Sequence, residues 1–303
     1  MPEIFEQTFR ARFNECDAYG HVNHAHFLTY MQEAAFDASA AVGYDFSRHL
    51  EMKRAWFIRE SEITYLRPLR YFDTFIVRTW VVDVRRVRSR RLYEFRLAST
   101  AEPVAQAYSD WVFLDSGTLR PASIPEEMSR AYLPEGSTNG VLKRHAFPEP
   151  PPPPPGVHTT KRRVRWHDVD PAQHVNNTVY LHYLEDCAID LVREKGWPLE
   201  RMTADGFGIV ARQFRIEYLQ PAEMDQELEI STWVSDVKRA TALRHYTIKR
   251  RADNQLLARA RALWVWVDLE TGRPIRIPAQ FLADCAANIS GSLDAQTNGR
   301  MLT

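Results

Sequence analysis

Within eight residues the chain places a carboxylate, two imidazoles and a carboxamide: Asp17, His21, Asn23 and His24. An apolar, Ala-rich segment reaching about residue 42 follows at once, with Phe27, Leu28, Met31, Ala34, Ala35 and Ala38 at helical spacing. The group therefore stands at a helix N-terminus, where unpaired amides and the helix dipole favour negative charge. Asn is a good N-cap, and with Asn23 in that place the open amides begin at His24. A carboxylate beside such amides suits attack on a carbonyl. Asp17, kept ionised by the dipole, would serve as base or nucleophile, and the amides would donate to the oxygen that gains charge. His21 could orient the carboxylate, contact a substrate, or only hydrogen-bond within its loop.

An Asp or Asn ahead of a helix is often no more than a cap. Here, however, the chain writes the stretch a second time. Asp170, His174, Asn176 and Asn177 stand 153 residues further on (17 to 170), ahead of another apolar segment that reaches about residue 195. The same offset, without a gap, pairs Arg12 with Arg165, Tyr30 with Tyr183, Ile63 with Ile216, Tyr65 with Tyr218 and Pro68 with Pro221. It goes on to pair Trp80 with Trp233, Tyr93 with Tyr246, Trp111 with Trp264 and Pro125 with Pro278. A register held from Arg12 to Pro125 is the mark of a tandem duplication of one domain. Cys16 abuts Asp17, but Val169 occupies its place in the second copy, so a thiol nucleophile is not expected.

Each copy reads as strand, helix, then four strands. Period-two alternation marks residues 5–14, 56–65, 74–84, 90–98 and 104–115, with counterparts at 162–166 and starting near 207, 226, 242 and 256. One long helix and an antiparallel sheet with one buried face make an α+β domain, and two such units are expected to pair about a pseudo-twofold axis. The expected domains are 1–133 and 158–290. Between them, residues 134–157 contain Pro148 and six consecutive prolines, Pro150 to Pro155, expected to form a polyproline II spacer at about 3.1 Å per residue. Residues 291–303 read as a polar, disordered tail.

With 39 basic and 39 acidic residues the formal charge is zero. No bulk pull toward nucleic acid or membrane follows from it, and neither is an expected partner. Three scattered cysteines form no disulfide framework, the start lacks a signal-peptide pattern, and no run of about 18 apolar residues occurs. A cytoplasmic protein is expected.

The pattern Asp-x-x-Gly/Gln-His-Val-Asn-His/Asn, an aromatic three or four residues on, and then Ile-x-Tyr-x-x-Pro resembles that of hotdog-fold thioesterases of the 4-hydroxybenzoyl-CoA type. The tandem arrangement is similar to that of double-hotdog acyl-ACP thioesterases. The resemblance implies two hotdog domains, each a long central helix wrapped by a five-stranded antiparallel sheet, paired as a pseudo-dimer. It implies hydrolysis of an acyl thioester with Asp17 and Asp170 as catalytic carboxylates and the amides at His24 and Asn177 holding the carbonyl oxygen. Coenzyme A enters as part of the substrate, and no metal or redox cofactor is expected.

Candidate substrate contacts are His21, Asn23, His174, Asn176, Tyr30 and Tyr183, with Phe27, Trp56, Phe57 and Tyr180 as further acyl-pocket or core residues. Arg88 and Arg90, in the basic run from Arg85 to Arg91, could meet the phosphates of CoA or of a carrier's phosphopantetheine, or simply form a solvated hairpin. Glu33, Glu185 and Asp186 lie where another hotdog branch carries its carboxylate, but read here as surface or partner residues. Plant acyl-ACP enzymes have Asn two residues after the Asp, where this chain has Tyr19 and Ala172, and their downstream acid falls at Pro68 and Pro221. An acyl-CoA thioesterase is therefore the expected activity, with acyl-ACP hydrolysis and a non-catalytic acyl-thioester binding module as alternatives. Further pairing of the double unit into a homo-oligomer stays open.

Overall fold

A computed structural model describes residues 4–133 and 144–291. Residues 134–143 of the expected spacer and 292–303 of the expected tail lie outside the described residues. The chain divides into two units, Met1–Ala146 and Phe147–Thr303, so the division falls inside the segment 134–157.

The first unit runs β1 (Phe5–Arg10), α1 (His26–Ala41), α2 (Phe46–Met52), β2 (Arg54–Tyr65), β3 (Thr74–Arg85), β4 (Arg88–Leu97), β5 (Pro103–Asp115) and α3 (Glu126–Tyr132). Its strands form an antiparallel sheet in the order β1-β3-β4-β5-β2. The second unit runs β6 (His158–Arg163), α4 (Val179–Glu194), α5 (Leu199–Ala204), β7 (Phe207–Tyr218), β8 (Glu227–Ser235), β9 (Thr241–Arg250), β10 (Gln255–Asp268) and α6 (Ala279–Cys285). Its sheet has the matching order β6-β8-β9-β10-β7, again antiparallel.

Alternation decides which face each helix covers. In β3 the buried residues are Phe75, Val77, Thr79, Val81 and Asp83, every second one. Helix α1 lies on β1 and β3 with Phe27, Met31, Ala34 and Ala38 turned inward. Tyr30 meets Phe75 at 4.8 Å and Phe9 at 5.1 Å, and Phe27 meets Phe95 at 5.3 Å. Helix α4 lies on β6 and β8 in the same way. Both helices stop at a glycine in the left-handed region, Gly43 (φ 87) and Gly196 (φ 80). Their amides donate back to Ala40 and Arg193 at 2.9 and 3.0 Å. These glycines are again 153 residues apart.

Two expectations need correction. The first strand does not continue to residue 14: it ends at Arg10, and Phe13–Glu15 forms a 3-10 turn. The cause is Glu15, whose carboxylate accepts the Arg12 amide at 2.7 Å and the Tyr30 hydroxyl at 2.5 Å, pulling the chain inward. In the second unit the strand expected at 162–166 is His158–Arg163, followed by the turn Trp166–Asp168. The proline segment, in its described part, is not a free spacer. The Trp233 indole donates to the Pro151 carbonyl at 3.2 Å, Ser290 donates to Pro152 at 2.6 Å, and Arg259 holds Glu149 at 2.7 Å. At Gly156 an added Cβ would stand 2.4 Å from the Ala287 carbonyl oxygen. The run is fastened along the second unit.

Candidate active site

Each motif loop is closed by its own Asp. The Asp17 amide donates to the His21 carbonyl at 2.8 Å, Gly20 returns a bond to Asp17 O at 2.9 Å, and the Oδ1 atom accepts Tyr19 N at 2.9 Å and His21 N at 3.4 Å. Asp170 repeats the design, with 3.1 Å to His174 O, 2.9 Å from Gln173 N and 2.9 Å from Ala172 N to Oδ1. The turn needs a left-handed residue. The first copy supplies Gly20 (φ 75), whereas the second holds Gln173 at φ 67, a conformation that costs a non-glycine residue about 1 kcal/mol. Antiparallel bridges Cys16–Val22 and Val169–Val175 close the loops from outside.

Asn23 and Asn176 couple loop to helix. Their backbone amides donate to Glu15 O and Asp168 O at 2.8 and 2.9 Å, and their Oδ1 atoms accept Ala25 N and Thr178 N at 2.9 and 3.0 Å. Contrary to expectation Asn23 is not the helix N-cap: the N-caps are Ala25 and Thr178, and each Asn instead caps the turn two residues earlier. In the second unit the Asn176 Nδ2 also donates to Asp170 Oδ2 at 3.1 Å, which fixes the carboxylate relative to the helix start. The peptide after the cap is oriented by a tyrosine from the sheet: Tyr65 donates to His24 O at 2.9 Å and Tyr218 to Asn177 O at 2.8 Å. Among the described residues neither the backbone amide of Asn177 nor its buried side-chain Nδ2 has an acceptor at bonding distance. A donor so placed can serve an oxyanion.

The histidines are neutral at neutral pH. Burial drives the His24 imidazole down from its ordinary 6.5 to about 4, with Asp17 opposing only in part. Burial also lowers His21 and His174. They can hold or donate a hydrogen bond, but they supply no cation. A stability effect follows. A folded-state pKa below the unfolded value means that the unfolded chain takes up the proton first, so the contribution of neutral His24 is complete above about pH 6.5 and is lost as pH falls toward 4. The loss amounts to about 3 kcal/mol at the lower limit. Urea unfolding near pH 7 and pH 4.5 should show His24→Gln with a shallower decline than the parent; equal declines would contradict it.

Tyr30 and Tyr183 are buried among the core residues. Tyr30 bonds Glu15; Tyr183 faces Asp168 and lies under Arg162 at 4.2 Å, where it lines a crevice of about 510 Å3 between β6 and α4. Burial and these carboxylates push both phenols up. Phe27 and Tyr180 are also core, the Tyr180 hydroxyl accepting Ala222 N at 3.1 Å. Trp56 packs on Phe113 and Tyr132.

Arg90 is not available for phosphate: it grips Asp110 with two bonds of 2.7 and 2.6 Å and stacks on Tyr108 at 4.2 Å. Arg88 is exposed on the hairpin. Arg91 and its counterpart Arg244 are buried, reaching Thr79 and Thr232 at 3.4 and 3.3 Å. Glu33 is exposed and Asp186 pairs with Arg162 at 2.7 Å. Cys16 donates to the Arg12 carbonyl at 3.6 Å, and burial raises its thiol.

Sequence reasoning missed the buried pair Glu15 and Asp168. They stand two residues ahead of each Asp and support the loop from beneath. The signal was present: Glu15 and Asp168 are both acids at the repeat offset.

A model of the thioesterase-like superfamily matches residues 11–132 and again 164–285. The chain belongs to this superfamily. The chloroplastic dodecanoyl-[acyl-carrier-protein] hydrolase of Cinnamomum camphora is 25% identical over 241 residues, which cover 77% of this thioesterase-like chain and 60% of that relative. The long-chain acyl-CoA thioesterase FadM of Escherichia coli strain K12 is 27% identical over 121 residues, 40% of this chain and 91% of that relative. This chain thus spans 60% of the first plant relative and 46% of two Cuphea relatives. Among solved structures, the 12:0-ACP thioesterase from Umbellularia californica superposes with a TM-score of 0.70 at 20% identity, covering 86% of this chain and 93% of that one. The likeness establishes the fold as two tandem hotdog units. Among the described residues no helix is long and apolar enough to cross a membrane.

Proposed function

We propose that the chain hydrolyses an acyl thioester to a free acid and a thiol, with coenzyme A as the carrier. The observation that carries this reading is the motif itself, built twice. In each copy a half-buried Asp has one oxygen on loop amides and stands a few residues from the Asn-capped turn that leads into the helix, with a sheet tyrosine fixing the peptide between. The thioester oxygen sits against the amide at His24 or Asn177. The Asp carboxylate takes a proton from water, which adds to the carbonyl carbon, or adds there itself and is released by water afterwards. Collapse of the adduct expels the thiolate, whose conjugate acid has a pKa near about 8.5, so no strong general acid is needed. The reading needs neither a metal nor a redox group.

The names of the relatives support the thioester class and divide on the carrier. Tyr19, Ala172, Pro68 and Pro221 stand where the acyl-ACP pattern has polar groups, which favours CoA; acyl-ACP is the second reading, favoured by the plant relatives that align through both units. Three free cysteines suit a reducing cytoplasm.

Release of free thiol from short, long and aromatic acyl-CoAs, and from one acyl group carried in turn by CoA and by acyl carrier protein, tests the reading. Turnover on CoA at least as fast as on the carrier protein is expected. Tight binding of every thioester without thiol release would instead make the chain a binding module.

A further inference from the structure

The 3-10 turn before the first motif loop and the β2–β3 loop together carry three large aromatic side chains into solvent: Phe13, Tyr71 and Phe72, which are 77%, 53% and 61% exposed. Phe13 meets Tyr71 edge-on at 5.6 Å, and Tyr71 meets Phe72 at 5.6 Å. Phe72 is held at φ 76, a left-handed conformation that a bulky residue seldom adopts. The loop enforces it through bonds from Phe72 N to Ala11 O at 3.1 Å, Ala11 N to Asp73 O at 2.9 Å and Arg70 N to Asp73 Oδ2 at 2.8 Å. The same left-handed turn recurs at Asp225 (φ 64) in the second unit, so it belongs to the loop's frame; in the first unit it carries a ring that is left in solvent.

Arginines flank the rings along the chain, Arg12 ahead of Phe13 and Arg70 ahead of Tyr71. Arg10 lies over Phe72 at 4.9 Å and, like Arg70, has no carboxylate partner among the described residues. The Arg12 side chain, 71% exposed, is 3.6 Å from Glu15. Asp73 is the acid of this loop, and its carboxylate is turned onto the Arg70 amide. The platform is also tied to the motif: Val22 N donates to Leu69 O at 2.7 Å, and His21 bridges to Arg70.

Rings more than half exposed protrude; they do not line a groove that could receive a helix or an extended peptide. Protruding aromatics among arginines fit the headgroup layer of an anionic bilayer, where amphipathic rings settle and each cation near the surface adds attraction. We propose that Arg10, Phe13, Arg70, Tyr71 and Phe72 form a peripheral docking surface for anionic phospholipid, holding the Asp17 loop at the layer into which long acyl chains partition. The last clause rests on the thioesterase reading; the docking does not. The neutrality of the whole chain speaks only to bulk attraction and leaves a local patch untouched. The second unit has an incomplete version: Trp166 is 82% exposed, but Met224 and Asp225 replace Tyr71 and Phe72.

Co-sedimentation of the full chain with phosphatidylcholine vesicles, with and without about one-third phosphatidylglycerol, reads the proposal. Binding only to the anionic vesicles is expected. Phe13→Ser with Phe72→Asn, the latter chosen because Asn tolerates positive φ, should lower partitioning at least about tenfold. Arg10→Gln should lower it about fivefold, less in high salt. Hydrolysis of a short soluble acyl thioester should be unchanged in each variant, with unchanged circular dichroism. Failure of the parent to sediment, or equal sedimentation of the double variant, overturns the proposal. So does an effect confined to the oligomer mass by light scattering, which points to a second copy, or to KM for a carrier-protein substrate, which points to a protein partner. Vesicle binding that persists in a chain without hydrolysis would sink only the catalytic reading.

Discussion

Asn at both position 17 and position 170 is expected to lower kcat/KM for thioester hydrolysis by about a thousandfold, with the fold intact. Asn keeps a carbonyl oxygen where Oδ1 accepts Tyr19 N and Ala172 N, so the loops stay closed, but an amide neither takes a proton from water nor attacks a thioester. The two single variants divide the work. Asp17→Asn removes a carboxylate held only by loop amides among the bonds described above. Asp170→Asn in addition sets an amide NH2 against the Asn176 Nδ2 that now donates to Asp170 Oδ2 at 3.1 Å, so it should cost about 1 kcal/mol of stability as well. If both loops turn over independently, each single variant keeps about half the rate; if one loop has become structural, one single variant keeps nearly all of it. Thermal melts and thiol-release kinetics on the four proteins decide this, and a double variant with parental turnover would remove the carboxylates from the mechanism.

The repeat made most of this architecture legible. A gapless offset needs no structural knowledge, and it predicts two units, two loops and two helices because matched positions mostly share a packing duty, although Trp233 is fully buried where Trp80 is only partly so. Asn23 and Asn176 were readable as amide acceptors near each helix start, but the N-cap itself falls two residues later, at Ala25 and Thr178, because each Asn closes a separate turn first. The less legible features depend on tertiary partners. The alternation through Phe9, Ala11 and Phe13 continues in sequence, yet Phe13 ends outside the sheet because Glu15 finds Tyr30, fifteen residues away. Arg90 looked free until Asp110 arrived from the neighbouring strand. The proline run looked like a spacer because nothing local predicts an indole from β8 reaching Pro151. Tyr65 and Tyr218 were matched as repeat partners, but only folding shows that each hydroxyl orients the peptide after a cap.

Glu15→Ala should lower the unfolding free energy by about 3–4 kcal/mol, the largest stability effect expected from a single substitution at the loop. The carboxylate is buried and accepts two donors that have no water to replace it, the Arg12 amide at 2.7 Å and the Tyr30 hydroxyl at 2.5 Å. Removing it strands both donors and frees the 3-10 turn whose Glu15 carbonyl accepts Asn23 N at 2.8 Å. Tyr30→Phe removes one donor, keeps the ring against Phe9 and Phe75, and should cost about 1–2 kcal/mol. The double variant should cost less than the sum of the two by about 1 kcal/mol or more, because the stranded hydroxyl is no longer there. The loss should reach activity through position as well. The Asn23 cap hangs from Glu15, so kcat should fall in Glu15→Ala at temperatures where the protein is still fully folded, and Glu15→Gln should restore part of it. Urea denaturation of the four proteins, with kcat measured below the first sign of unfolding, checks both halves. Additive energies would show that Tyr30 and Glu15 do not act together, and an undiminished kcat would show that the turn does not position the loop.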